Sequence, residues 1–293
     1  MKNLHSKRHE EHLKEIKARL KRDYKALLSR NLSRWQSPPY PMMMWLLYHA
    51  HYLFATGGIR WALDPKLPAE LIPGLSENKR FTDPLKDLSF VLLSHSHSDH
   101  LDIPLLKFLS EHSVRFIVPD HMLDMVMERV DPPQERVSTA VSGEPLNIGG
   151  VRIVPFPGQH IAREADGVVR GCECTGYLVE TEGRRLLFPI DVRDYDATAM
   201  EKLAPVDVLF AHLWLGRGSA AEPHPPLLEE FCDFIMACRP RRVVLAHLYS
   251  FQHGITDMWT EAHAQMVRER LASCAPEIEV LFPAIGEEIV LSE

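Results

Sequence analysis

Leu13, Ile16, Leu20, Tyr24 and Leu27 recur at steps of three and four, which places them on one face of a helix. Residues 1–30 are therefore predicted to form one amphipathic helix, closed by Ser37-Pro38-Pro39-Tyr40-Pro41. From residue 42 the period shortens. The runs 45–54 and 59–63, around Thr56-Gly57-Gly58, predict a β-hairpin whose second strand stops at Asp64-Pro65. The apolar run Phe90-Val91-Leu92-Leu93 reads as a buried strand. A helix to about residue 112, a strand at 114–118 and a helix at 120–129 follow, ended by Pro132-Pro133. Strand character resumes over 146–156, 175–180, 186–190, 207–210 and 241–247, and closes the chain at 278–282 and 288–291. Helical spacing marks 227–238 and 256–273, where Trp259, Met266 and Leu271 are expected to face the core. Strands alternating with helices make this an α/β chain.

Composition narrows the class. The chain has 293 residues, 45% hydrophobic and 25% charged, which suits one sizeable globular domain. Residues 1–40 are expected to be a basic helical extension, since the first 30 carry ten Lys or Arg against four Asp or Glu, and residues 41–293 the catalytic domain. The stripe on that helix needs a cover, either its own domain or a sister subunit in a homo-oligomer. A net charge of −7 and a pI near 6.1 disfavour a surface that binds nucleic acid throughout. Five cysteines, Cys172, Cys174, Cys232, Cys238 and Cys274, include no C-x-x-C pair, so a reducing, cytoplasmic setting is expected. The longest apolar run, 42–55, is broken by His49 and His51, and no membrane span is expected.

The candidate chemistry lies in Ser94-His95-Ser96-His97-Ser98-Asp99-His100-Leu101-Asp102, between a strand and a helix. In an extended segment His95, His97 and Asp99 point to one side and His100 falls out of phase, so two metal positions can be served. Imidazole and carboxylate donors suit zinc, manganese or iron.

At these residues the chain resembles the metallo-β-lactamase superfamily, whose signature H-x-H-x-D-H is matched by His95, His97, Asp99 and His100. Further motifs of that family match in order. They are Asp64 after the first hairpin, His160 in Pro155-Phe156-Pro157-Gly158-Gln159-His160, Asp191 after Leu186-Leu187-Phe188-Pro189-Ile190, and His247 after Arg241-Arg242-Val243-Val244-Leu245-Ala246. One departure stands out: Ile190 occupies a position that is usually glycine. The resemblance implies a four-layer αββα sandwich with an N-terminal helical extension. It also implies two divalent ions, with zinc first and manganese or iron next, that share a hydroxide. His95, His97 and His160 would hold one ion, Asp99, His100 and His247 the other, and Asp191 would bridge them. Asp64 and Asp102 would support the loop from behind.

A hydrolytic centre is expected, because redox members of the family typically carry an acid where this chain has His97. Within the superfamily the motifs most resemble the branch of ascorbate-phosphate lactonases and N-acyl-phosphatidylethanolamine phospholipase D. The stretch between Asp191 and His247 is too short for the accessory domain of the nucleic-acid-cutting branch, which favours a small substrate. The resulting expectation is hydrolysis of a phosphodiester or phosphate-bearing ester. A lactonase or amidase, a tRNA-processing-like nuclease, and a non-catalytic protein held together by its metals are the alternatives. His212, ending a strand, is the candidate leaving-group acid alongside the catalytic Asp99 and Asp191. His49, His51, Arg217, His224 and His253 are candidate substrate contacts.

Overall fold

The structure is a computed structural model that describes residues 2–38, 40–164, 166–221 and 226–292, with side chains of the first helix described from residue 7. His224, one of the expected substrate contacts, lies outside the described residues.

Two seven-stranded mixed sheets face each other. The first contains β1 (Met43–Leu46), β2 (Tyr52–Thr56), β3 (Ile59–Leu63), β4 (Phe90–Leu92), β5 (Arg115–Pro119) and β6 (Val137–Ala140). The second contains β7 (Leu146–Ile148), β8 (Val151–Pro157), β11 (Thr175–Thr181), β12 (Arg184–Ile190), β13 (Val206–His212), β14 (Pro240–Ala246) and β15 (Glu279–Leu281), with a separate two-stranded ribbon, β9 (Ala162–Arg163) and β10 (Val169–Arg170), inserted after β8. Each sheet starts as antiparallel hairpins and continues as parallel strands, at β3 to β6 and at β12 to β15. The last strand, β16 (Glu288–Val290), returns to the first sheet and pairs antiparallel with β1, Met43 opposite Val290.

Aromatic side chains fill the space between the sheets. Phe54 stacks on Trp61 at 3.9 Å between centroids and Phe188 on Phe210 at 4.4 Å, with Met44, Phe90 and Tyr177 around them. The outer faces are covered by helices, which completes the αββα sandwich. On the first sheet lie α1 (Lys2–Gln36), α2 (Lys79–Thr82), α3 (Ile103–Ser110) and α4 (Leu123–Arg129); on the second lie α5 (Ala197–Glu201), α6 (Leu227–Ala237) and α7 (Glu261–Cys274). Trp259 and Leu271 are buried as expected, and Met266 is half-buried.

The helix at the start of the chain is longer than its pattern indicated, and its stripe is covered by its own chain. Leu13, Ile16, Leu20, Tyr24, Leu28, Leu32 and Trp35 share one core cluster with Trp45, Leu53, Phe81 and Phe251. Trp35 Nε1 donates to the Phe54 carbonyl at 3.1 Å, and Tyr24 Oη donates to the Leu47 carbonyl at 2.9 Å. The apolar face that motivated a helix-mediated oligomer is thus used within the chain. Among the described residues no helix is long and apolar enough to cross a membrane.

Several boundaries also moved. The run 45–54 is two strands, not one, because Leu47 to His51 form a tight connection in which Leu47 N–H donates to the His51 carbonyl at 2.8 Å. The run 146–156 is split at Gly149-Gly150, both with positive φ. The strand β6 and the short ribbon β9/β10 carry too few alternating apolar residues to have been read from pattern.

Candidate metal centre

Every donor expected from the sequence sits just beyond the carboxyl end of a strand. The loop 94–102 follows β4, His160 follows β8, Asp191 follows β12 and His247 follows β14. Rigid strands deliver loops to one edge, the usual place for a site in such sheets. Tyr177 Oη donates to the Leu93 carbonyl at 2.5 Å and Thr175 N–H to the Ser94 carbonyl at 3.0 Å, so the second sheet grips the start of the loop.

The donors converge as two groups around Asp191. His97 Nδ1 and His160 Nε2 approach to 3.1 Å, and His95 Nε2 lies 3.8 Å from Asp191 Oδ2. On the other side His100 Nε2 lies 3.4 Å from Asp191 Oδ1, while His247 Nε2 lies 3.5 Å from Asp99 Oδ2 and 3.7 Å from Asp191 Oδ2. Asp191 therefore faces both groups with its two oxygens. His95 Nε2, His100 Nε2 and His247 Nε2 are buried and have no hydrogen-bond partner among the described residues. Three orphaned polar atoms aimed at one region would be expensive in a metal-free fold and are the arrangement a cation satisfies. The residues present fit a dinuclear centre.

A hydrogen-bond chain behind the donors sets their tautomers. Asp64 Oδ2 accepts from His100 Nδ1 at 2.9 Å and from Ser94 Oγ at 2.5 Å, and Ser94 Oγ in turn accepts from His95 Nδ1 at 2.9 Å. Each imidazole thereby keeps its Nε2 lone pair free for an ion. Asp64 also accepts from Ser94 N–H at 2.8 Å, and its own φ is +43°. His212 Nδ1 donates to Asp191 Oδ1 at 2.7 Å, while Tyr52 Oη donates to His212 Nε2 at 3.0 Å.

Burial pushes the His95 imidazole well below its ordinary pKa, pushes His97 down, and takes His160 to about 4, which keeps these rings neutral. For Asp191, burial acts upward, but His247, His100 and His212 outweigh it and hold the carboxyl well below its usual range.

The remaining expectations divide. His49 and His51 are fully buried, so the expected substrate contact is corrected in both cases. His51 Nε2 donates to the Asp99 carbonyl at 2.7 Å and fixes the metal loop, whereas His49 packs edge-on against His247 at 4.8 Å between centroids. His212 has both ring nitrogens engaged, which leaves it without a proton to give toward a substrate; it positions Asp191. Among the described residues the Asp102 side chain makes no hydrogen bond to a donor residue. It caps α3 by accepting from Leu105 N–H at 3.0 Å and ties in Ser76 Oγ and Leu67 N–H at 2.6 and 3.0 Å. Arg217 and His253 do line the cavity at the metal edge, whose volume is about 220 Å³, together with His160, Asp191, Arg193 and Trp214. His253 Nε2 lies 3.1 Å from Asp99 Oδ2. Glu164, on the ribbon, pairs with Arg193 at 2.9 Å, Arg217 at 2.6 Å and Arg170 at 3.0 Å.

With this geometry in view, residues 71–248 match the Beta-lactamase superfamily domain. The chain belongs to the metallo-β-lactamase superfamily. The superfamily fold recurs in a metallo hydrolase from Ignicoccus hospitalis, Igni18, with a TM-score of 0.58 and 17% identity over 85% of this chain and 97% of that one. CmlA, a diiron β-hydroxylase from Streptomyces venezuelae, superposes with a TM-score of 0.61 and 18% identity over 86% of this chain and 54% of that one. The 4-amino-L-phenylalanyl-[CmlP-peptidyl-carrier-protein] 3-hydroxylase of Streptomyces venezuelae is 27% identical over 200 residues, which are 63% of this chain and 36% of that protein. The chain thus spans about a third of the length of the curated relative it matches.

Superfamily membership also makes sense of Ile190. Its φ is +65°, a left-handed conformation that a β-branched residue rarely adopts and glycine takes freely. The glycine usual at this position serves the turn that aims Asp191, and here the turn is held with a side chain that is buried in the core. The residues whose roles sequence reasoning missed are Ser94, Tyr52, Arg193 and Glu164. Ser94 and Arg193 stand beside motif residues, one position before His95 and two after Asp191.

Proposed function

We propose that the protein is a dinuclear metal-dependent hydrolase acting on a small phosphodiester or phosphate-bearing ester. The observation that carries this reading is the convergence of the donor groups on the two oxygens of Asp191 at the floor of a small cavity lined by Arg193 and Arg217. His95, His97 and His160 would hold one ion, Asp99, His100 and His247 the other, and Asp191 both. When bound, two such ions supply an activated water and stabilise charge on the attacking and leaving oxygens. Zinc is the first choice of metal, with manganese or iron next.

The chain's own groups do the rest. Arg193 and Arg217 favour an anionic group on the substrate, and the cavity size favours a small molecule. His253 is the leaving-group acid in this scheme. Burial opposes its charge, but the hydrogen bond to Asp99 and that carboxylate's charge prevail and raise its pKa. A panel of nitrophenyl phosphodiesters, lactones and amides, run with zinc or manganese, tests the proposal. Turnover of the phosphodiesters, abolished by complete chelation, is expected; activity that survives chelation would sink it, and turnover confined to the lactones or amides would move the assignment to that class.

A second reading follows from the 27% identity to a hydroxylase. An iron centre using oxygen would be expected to prefer carboxylate donors, and His97 and His160 make this centre richer in imidazole. Substrate-dependent oxygen uptake by iron-loaded protein would favour that reading over hydrolysis.

A further inference from the structure

Cys172 lies outside the expected donor series, yet its sulfur belongs to one of the two groups. Cys172 Sγ and one ring nitrogen each of His95, His97 and His160 all lie within 4.8 Å of one another. The backbone admits this approach through glycines on either side. A Cβ at Gly171, whose φ is +102°, would fall 2.0 Å from the His160 carbonyl oxygen, and one at Gly158 would fall 2.8 Å from the Cys174 carbonyl oxygen. Gly158 N–H donates to that same Cys174 carbonyl at 2.8 Å. The segment 171–174 is thus pressed against the loop bearing His160, and Cys172 stands where the two meet. Within the group, His95 Nε2 is buried without a hydrogen-bond partner, and His97 Nδ1 and His160 Nε2 face each other.

We propose that Cys172 is a further protein donor, as a thiolate, to the ion held by His95, His97, His160 and Asp191. This rests on the two-ion reading above. Around a five-coordinate ion, metal–nitrogen bonds of about 2.0–2.1 Å and a metal–sulfur bond of about 2.3 Å place neighbouring donors roughly 2.9–3.8 Å apart, so a contraction of about an ångström closes the site. Binding exchanges the S–H bond for a sulfur–metal bond and releases one proton to solvent. The consequence is an asymmetric centre. The soft donor favours zinc or cobalt over manganese at this position, while the other position, built from nitrogen and oxygen alone, gains no such preference.

The test loads the full-length chain with cobalt(II) and records bound metal beside the near-ultraviolet spectrum. Two cobalt ions and a thiolate-to-cobalt charge-transfer band are expected, with the band lost in Cys172→Ser and kept in Cys274→Ser. X-ray absorption on the zinc-loaded wild type decides the case without any variant, through a sulfur neighbour at about 2.3 Å. Two bound cobalt ions without the band, a band that survives in Cys172→Ser, or zinc with no sulfur neighbour would overturn the thiolate and leave the two-ion reading standing. A wild type that binds no cobalt would overturn both.

Discussion

Asp64 serves both groups of donors at once, directly through His100 and by way of Ser94 through His95. Removing such an orienting carboxylate typically costs about 10–100-fold in metal affinity or activity. Asp64→Ala is therefore expected to lose affinity at both positions while remaining measurably active, which metal titration would show as two weakened sites; one weakened site would contradict the shared role. Ile190 gives a second expectation. A positive φ in a β-branched residue costs about 1–3 kcal/mol, while deleting a buried isoleucine side chain costs about 2–5 kcal/mol. Ile190→Gly relieves the first as it incurs the second, whereas Ile190→Ala incurs the second and keeps the positive φ, so denaturant unfolding should show the glycine variant to be the more stable of the two by about 1 kcal/mol or more, with metal binding intact. A glycine variant no more stable than the alanine variant would mean that the turn carries no strain.

Individual donors were legible because a metal needs particular atoms close together, and closely spaced His and Asp on a strand-to-helix loop serve few other purposes. His49, His51 and His212 misled for the same reason. A histidine looks alike in sequence whether it meets substrate or sits behind a ligand, and only the packing of β2 against β13 reveals that Tyr52 occupies His212. Cys172 was passed over because its partners are distant in sequence and the glycines that seat it read as ordinary turns.

At the scale of elements, α1 is the piece whose period was clear and whose partner was not. Its stripe packs on the first sheet and on Phe251, in the loop that follows His247, and Lys17 lies over the Phe251 ring at 5.3 Å. The helix therefore braces both the Leu47–His51 connection, through Tyr24, and the loop carrying His253. Leu28→Ala, at a fully covered position, is expected to lower stability by about 2–5 kcal/mol in denaturant unfolding. Light scattering should show its oligomeric state unchanged. Dissociation of a multimer in that variant would show that the stripe serves an interface after all. Strand order was harder to read than strand existence: β16 joining β1 depends on the chain returning across the sandwich, which no local pattern encodes.

For the whole molecule, the centre lies between the two sheets and draws donors from both, so ions bound there tie the halves together. Ligands that bind only the folded chain add about 4 kcal/mol at a thousandfold excess over Kd. Full chelation should accordingly lower the unfolding temperature, and zinc should restore it. A melting curve indifferent to chelation would speak against metals in this position.

The bridging carboxylate is where the two-ion account is most exposed. Among the described residues Asp191 is the one carboxylate within 4 Å of His95, His100 and His247 together, at 3.8, 3.4 and 3.7 Å. Without it two cations would lie close together with no shared negative charge between them. Metal content by mass spectrometry, measured beside turnover on the wild type and on Asp191→Ala, tests this directly. Two ions per wild-type chain, with fewer than two and essentially no turnover in the variant, are expected; an Asp191→Ala protein holding two ions and turning over at a near-normal rate would contradict it.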